Sequence, residues 1–321
     1  MTDSAALDVV AIGSALVEIT PTCMGQSLAR VEQMVPLPSG AGTNFAIALA
    51  DLGTRVALLS RVGDDELGQW LIDRLARRGI DTRFVQPVTG QLTPVSFAWM
   101  DQDGAKTFYF YRFPGLCDPM GTITPDAITW EQAAAGRVFD YGEAAIRNEP
   151  LRSAALRAAR LARQAGREVC YAVNYRPGSW RGQSEEQVVA VQRRACATAD
   201  IALMNNDEAR LVSGADALDE AARRIAALGP RVVAITSGDK GALLYAAGKL
   251  QQVPARRVKV VYDIGAGDSF HAGFVAAHLA GMPPLKAARF ASDAAALRIS
   301  RAASEPGPTY REVMSLTSED V

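Results

Sequence analysis

The sequence predicts an α/β fold: a mainly parallel sheet with helices on both faces, carrying a small, mostly antiparallel β sheet as a lid. Three observations lead there. From residue 130 onward, short apolar runs alternate with helical patterns, as repeated βα units require. Two further βα pairs precede them near the N-terminus. Two segments, 14–38 and 93–113, break the alternation with extended or period-two patterns.

The expected strands are Asp8–Ile12, Arg55–Ser60, Arg137–Tyr141, Glu168–Val173, Ile201–Asn205, Arg231–Thr236 and Ala242–Ala246. The expected helices are Phe45–Leu52, Glu66–Arg78, Leu151–Gln164, Glu185–Ala199, Ala217–Leu228, Ser269–Ala280 and Leu285–Ser300. Pro150 in a first-turn position and Gly166 just past the end bracket one of them. Leu67, Trp70, Leu71 and Leu75 have the spacing of one buried helix face. The interrupting segments, with a turn expected at Asp101-Gln102-Asp103-Gly104, are too small for a core of their own. The expected division is therefore a body of residues 1–13, 39–92 and 114–321, with 14–38 and 93–113 as a lid over the strand ends, where open α/β sheets bind ligands.

Composition narrows the function. The 34 Lys and Arg against 35 Asp and Glu give a net charge of −1, so nothing suggests a nucleic-acid or anionic-membrane partner. Cys23, Cys117, Cys170 and Cys196 are widely spaced, which disfavours thiolate metal sites and a disulfide framework. The N-terminal stretch has Asp3 and Asp8 rather than a basic region, and no apolar run reaches about 18 residues. A cytoplasmic setting is the expectation.

Glycine-rich loops carry the chemistry. Gly265, Ala266 and Gly267 let an anion approach backbone N–H groups at the positive end of a helix running from Phe270 to Leu279 and closed by Gly281. Asp268, at that junction, is placed as a general base beside a transferring phosphoryl group, or as a helix cap. Gly40 and Asn44 sit in a second small-residue loop, where Asn44 offers a donor and an acceptor to a ligand or caps a helix. In Gly63–Gly68 the structural reading wins, with Asp65 as cap. Glu208, in Asn205-Asn206-Asp207-Glu208, suits a hydrated Mg²⁺ or a helix first turn. The loop Thr236–Gly241 wraps phosphates or makes a turn. No Walker loop or GxGxxG fingerprint occurs, and no HExxH, GxSxG or paired Cys/His arrangement. His271 and His278, on one helix, read as surface or interface residues.

In order along almost the whole chain, these motifs resemble the ribokinase-like, phosphofructokinase-B type carbohydrate kinases. The segments are Val9–Gly13, Gly40–Asn44, Arg61–Gly68, Asn205…Glu208, Thr236…Gly241 and Gly265-Ala266-Gly267-Asp268. The resemblance implies a ribokinase-like fold and transfer of the ATP γ-phosphate to a sugar hydroxyl with Mg²⁺. It makes Asp268 the base and the amides of Gly265, Ala266 and Gly267 the anion hole. It places Glu208 at the metal, Asn205, Thr236, Gly238 and Gly241 at the nucleotide, and Asn44 with Gly40 at the sugar.

Tyr109–Gly115 and Asn174–Trp180 look most like fructokinases and 2-keto-3-deoxygluconate kinases. They add Tyr109, Tyr111, Arg112, Asn174 and Arg176 to the substrate side. Glu18 stands where relatives usually carry an aspartate on the sugar, Ser39 replaces a glycine, and Ala172 an aspartate. Tyr262 and Asp263 replace an Asp-Thr pair that helps organise the anion hole and often a monovalent cation such as K⁺. A nucleoside kinase and a non-catalytic sugar or nucleotide sensor are the alternatives. A homodimer through the lid sheet is a further expectation.

Overall fold

A computed structural model describes residues 6–22, 25, 27–100, 106–111, 116–180, 182–302 and 305–318. Its strands are β1 (Val9–Ile12), β2 (Leu16–Pro21), β3 (Met34–Ser39), β4 (Val56–Gly63), β5 (Val85–Val88), β6 (Val95–Met100), β7 (Lys106–Tyr111), β8 (Val138–Gly142), β9 (Glu168–Ala172), β10 (Ile201–Asn205), β11 (Val232–Thr236), β12 (Ala242–Ala246) and β13 (Lys249–Val253). Its helices are α1 (Ala41–Asp51), α2 (Glu66–Arg77), α3 (Trp130–Ala134), α4 (Leu151–Gln164), α5 (Glu185–Thr198), α6 (Asn206–Ser213), α7 (Leu218–Ala226), α8 (Ala266–Leu279), α9 (Pro284–Ile299) and α10 (Tyr310–Ser318).

Nine strands form one sheet in the order β13-β12-β11-β10-β9-β8-β1-β4-β5. Pairing is parallel from β11 to β5 and antiparallel at β11–β12 and β12–β13. Strands such as β1, Val-Val-Ala-Ile, are apolar at every position because helices cover both faces. One face packs on α1, α2, α8 and α9, with Phe45, Leu49, Phe274 and Phe290 at its core. The other packs on α4 to α7, with Phe139, Tyr141 and Tyr171 inside. The second sheet has the order β3-β2-β6-β7, antiparallel except between β2 and β6. Among the described residues, no helix is long and apolar enough to cross a membrane.

Several details depart from the sequence expectations. Helix α8 starts at Ala266, not Ser269 or Phe270, and α1 at Ala41, not Phe45, because small residues rather than an apolar stripe make their first turns. The α2 face buries Leu71 and Leu75, but Leu67 is 40% exposed, since it lies in the first turn where Gly68 instead meets the Gly63 carbonyl. Strands β5 and β13 are edges carrying exposed polar residues, so no apolar run announces them. The expected turn at Asp101–Gly104 lies outside the described residues, as do Cys23 and Arg112.

One close approach fixes α1 against the sheet. A Cβ on Gly42 would stand 2.6 Å from the Gly13 Cα, just beyond the end of β1. Gly42→Ala should therefore push α1 off the strand end and lower stability by about 1–3 kcal/mol. Thermal unfolding checks this; an unchanged melting temperature would show that the contact is loose.

Candidate active site

The C-terminal ends of the parallel strands and the small sheet enclose a cleft of about 720 Å³. Ser14 follows β1, Glu143 follows β8, Asn174 follows β9, and Glu18 comes from β2. Gly40 and Asn44 enter from the start of α1, Gly265 and Asp268 from the start of α8, and Tyr109 from β7.

Asp268 is the convergence point. Its Oδ2 accepts a hydrogen bond from Asn44 Nδ2 at 3.2 Å, and its Oδ1 accepts one from Asn174 Nδ2 at 3.3 Å. Local backbone makes both amides available. Gly40, the residue before α1, has φ +113°, and a Cβ there would meet the Ser14 carbonyl oxygen at 2.2 Å. Thr43 Oγ1 donates to that same carbonyl at 3.0 Å, clamping the first turn that carries Asn44. Asn174 adopts φ +42°, a left-handed conformation that Asn tolerates well, and this turns the chain as it leaves β9.

Asp268 is the third residue of α8 and does not cap it. Gly265, left-handed at φ +85°, takes the N-cap position without a side chain. In the first turn, Ala266 N–H bonds the Asp263 carbonyl and Ser269 N–H bonds that of Gly265. The N–H groups of Gly267 and Asp268 are left without a backbone acceptor among the described residues. A Cβ on Gly265 or Gly267 would meet nothing within 4 Å, so the helix end is open to a ligand. Asn44, likewise, is not a cap but lies inside α1.

Burial raises the Asp268 carboxyl above the usual range, opposed by the Asn44 hydrogen bond and by the charges of Arg176 and His271. Arg176 lines the same cleft and hydrogen-bonds the Tyr175 carbonyl. Glu18 is buried and also raised by desolvation; Ser39 Oγ donates to its Oε2 at 3.0 Å, and Tyr262 bonds it as well. Tyr262, itself buried, thus ties β2 to the segment that leads into α8.

The remaining sequence-selected residues fall in two places. Tyr111 is on β7, edge-on to Phe97 and half exposed. Asn205, Thr236, Gly238 and Gly241 lie at the ends of β10 and β11 and in the turn beyond, outside the lining of the large cleft. Asn205 caps α6, and Gly241 (φ +86°) is so close to the Val253 carbonyl oxygen, 2.0 Å from a notional Cβ, that packing alone requires glycine. Ser237 Oγ donates to Asn206 Oδ1 at 2.7 Å and ties the turn to α6.

Glu208 is buried, with Oε2 accepting from Asn205 N at 2.8 Å and Oε1 from Tyr175 N at 2.6 Å. Asn205 Oδ1 returns a bond from Glu208 N, completing a capping box. Each Glu208 oxygen keeps a second lone pair, and burial raises its carboxyl above the usual range, opposed by the hydrogen bonds from the Asn205 and Tyr175 backbone.

Two features escaped the sequence. Glu143, which takes the Trp180 indole N–H and lies 3.7 Å from Arg147, lines the cleft; its place directly after a strand was the available signal. His271 is buried rather than on the surface, and its ring nitrogen lies 3.3 Å from Cys170 Sγ, a Cys/His pairing hidden by a separation of 101 residues. His278 is half-buried against Glu168.

A family model described as pfkB family carbohydrate kinase matches residues 6–309. The chain belongs to the pfkB family of carbohydrate kinases. A rice protein named fructokinase-1 (Oryza sativa subsp. japonica) is 33% identical over 265 residues, which cover 82% of this chain and 80% of that one. The crystal structure of a PfkB protein from Polaromonas sp. JS666 superposes with a TM-score of 0.85 at 26% identity, covering 97% of this chain and 100% of the other. A fructokinase from Xylella fastidiosa, solved with bound ATP, shares the fold at TM-score 0.85 and 22% identity, over 98% of each chain. The mostly parallel sheet with its smaller, mostly antiparallel companion matches the ribokinase-like fold of these neighbours.

The raised Asp268 carboxyl sets a stability prediction. The folded chain holds this proton more tightly than the unfolded one, so its favourable contribution is present at low pH and lost as pH rises through the raised value. Asp268→Asn removes the buried charge at neutral pH and should melt no lower than the parent. A marked fall in melting temperature would contradict the reading that burial works against the ionised carboxyl.

Proposed function

We propose that the protein transfers the γ-phosphoryl group of ATP to a hydroxyl of a small ketose or keto-deoxy sugar acid, with Asp268 as general base. The observation that carries this is the Asp268 carboxylate, held by two amides at the open N-terminus of α8, where a base and an anion-binding helix end meet.

The chain's own residues divide the work. Asn44 and Asn174 leave each carboxylate oxygen a free lone pair, and the cleft-facing one takes the proton of the attacking hydroxyl. Desolvation makes Asp268 a stronger base than a solvated aspartate. The amides of Gly265 and Gly267, joined by that of Asp268, receive the charge that spreads over the transferring phosphoryl oxygens, while the Ala266 N–H bonds the Asp263 carbonyl. Gly40, Asn44 and Glu18 hold sugar hydroxyls from one side, and Arg176 faces them from the other. Arg112 and Tyr111 complete the substrate side in this proposal, and Asn205, Thr236, Gly238 and Gly241 border the nucleotide. Glu208 and Asn205 would hold the waters of Mg²⁺, which when bound neutralises phosphate charge. The small sheet serves as a lid that excludes water, with Tyr109 reaching the substrate.

The fructokinase name of the rice relative supports the ketose, and Arg176 in the cleft supports tolerance of a carboxylate. ADP release with Mg-ATP should appear with fructose or 2-keto-3-deoxygluconate and be weak with ribose or adenosine. Asp268→Asn should cut the turnover number by about 10²–10⁴. Near-parent turnover in that variant would overturn the proposal.

A further inference from the structure

Under the floor of the cleft lies a second polar cluster with no direct part in the proposed reaction. His271 follows Asp268 by three residues on α8, so the two share one side of the helix. Its Nε2 stands 2.7 Å from Asp140 Oδ2 on β8 and 3.3 Å from Cys170 Sγ on β9. Asp140 and Cys170 are register partners in the sheet, and all three side chains are buried. The imidazole stacks on Phe45 of α1, with ring centroids 4.0 Å apart and planes at 22°.

A buried polar trio inside an apolar body is costly unless its members satisfy one another. Burial and the Asp140 charge push the Cys170 thiol well up, so it stays an S–H donor toward the carboxylate. The three donor atoms lie within 4.8 Å of one another, yet a metal ion does not fit. Two ligands of a tetrahedral zinc stand roughly 3.3 Å apart, whereas Nε2 and Oδ2 are at hydrogen-bond distance.

The elements that meet at His271 are those that hold the base. Helix α8 carries Asp268. Helix α1 carries Asn44, next to the stacked Phe45. Strand β9 carries Cys170 and leads to Asn174. We propose that His271 is a positioning residue for the catalytic base: clamped by Asp140 and Cys170 and stacked on Phe45, it keeps α8, α1 and β9 in the register that brings both amides onto Asp268. This rests on the assignment of Asp268 as base.

The test is a mutant cycle read by steady-state kinetics with Mg-ATP and whichever of fructose or 2-keto-3-deoxygluconate gives ADP. Asp140→Leu/His271→Leu removes the pair without leaving an orphan charge. It should keep the fold while kcat falls about 10- to 100-fold, the loss expected from a misplaced catalytic group, with both KM values within about threefold. His271→Gln, which retains a donor, should recover most of that loss. Added to Asp268→Asn, the pair deletion should cost nothing further, because it acts through the same group.

A folded pair variant with kcat within about threefold of the parent overturns the proposal and leaves the base assignment standing. So does a loss that multiplies with that of Asp268→Asn. Near-parent turnover by Asp268→Asn alone overturns both. Should the pair variant not fold, Asp140→Asn/His271→Leu, which also leaves no orphan charge, takes its place under the same criteria.

Discussion

The carboxylate of Asp268, suspended between the amides of Asn44 and Asn174, is the constraint on which the rest of the architecture turns. The three residues come from chain positions far apart, and each is delivered by a different device. A helix that opens without a side-chain cap presents Asp268. A glycine contact that no Cβ permits brings in Asn44. A left-handed residue at a strand exit points Asn174 inward. The arrangement costs stability, since burial works against the ionised carboxyl, and the Asn44 amide with the charges of Arg176 and His271 offsets only part of that. A group held this way is poorly suited to a merely structural role and well suited to accepting a proton.

The small sheet is joined to this centre by polar contacts as well as by apolar packing of Val17, Ile19 and Val95 against the core of the body. Glu18 on β2 binds Ser39 at the end of β3 and Tyr262 ahead of α8. At the start of β6, Asp65, the cap of α2, accepts from both the backbone N–H and the hydroxyl of Thr93. The exposed aromatics Phe108 to Tyr111 on β7 lie on the outer edge of the same sheet.

The alternation of apolar runs with helical patterns was enough to foresee the central sheet, and the interruptions foretold the second one. Edge strands β5 and β13 were invisible because solvent relieves them of the need for apolar residues. The glycine-led starts of α1 and α8 lie ahead of the hydrophobic period, which begins only at Phe45 and Ser269, after the small-residue loops end. Within the site, Asp268, Asn44, Asn174 and Arg176 stood out through their motifs. What no motif conveyed was that the two asparagines bind the aspartate itself. The Asp140–Cys170–His271 cluster was equally hidden, because its members are single residues on β8, β9 and α8 that only the sheet register brings together.

The most direct test of the account is single-turnover phosphoryl transfer, at saturating Mg-ATP and sugar, by Asn44→Ala, Asn174→Ala and their double variant beside Asp268→Asn. If the amides act by holding the base, each single change slows transfer about tenfold or more, and the double variant is no slower than Asp268→Asn. A double variant that transfers phosphate at the parent rate would contradict the central role of the suspended carboxylate.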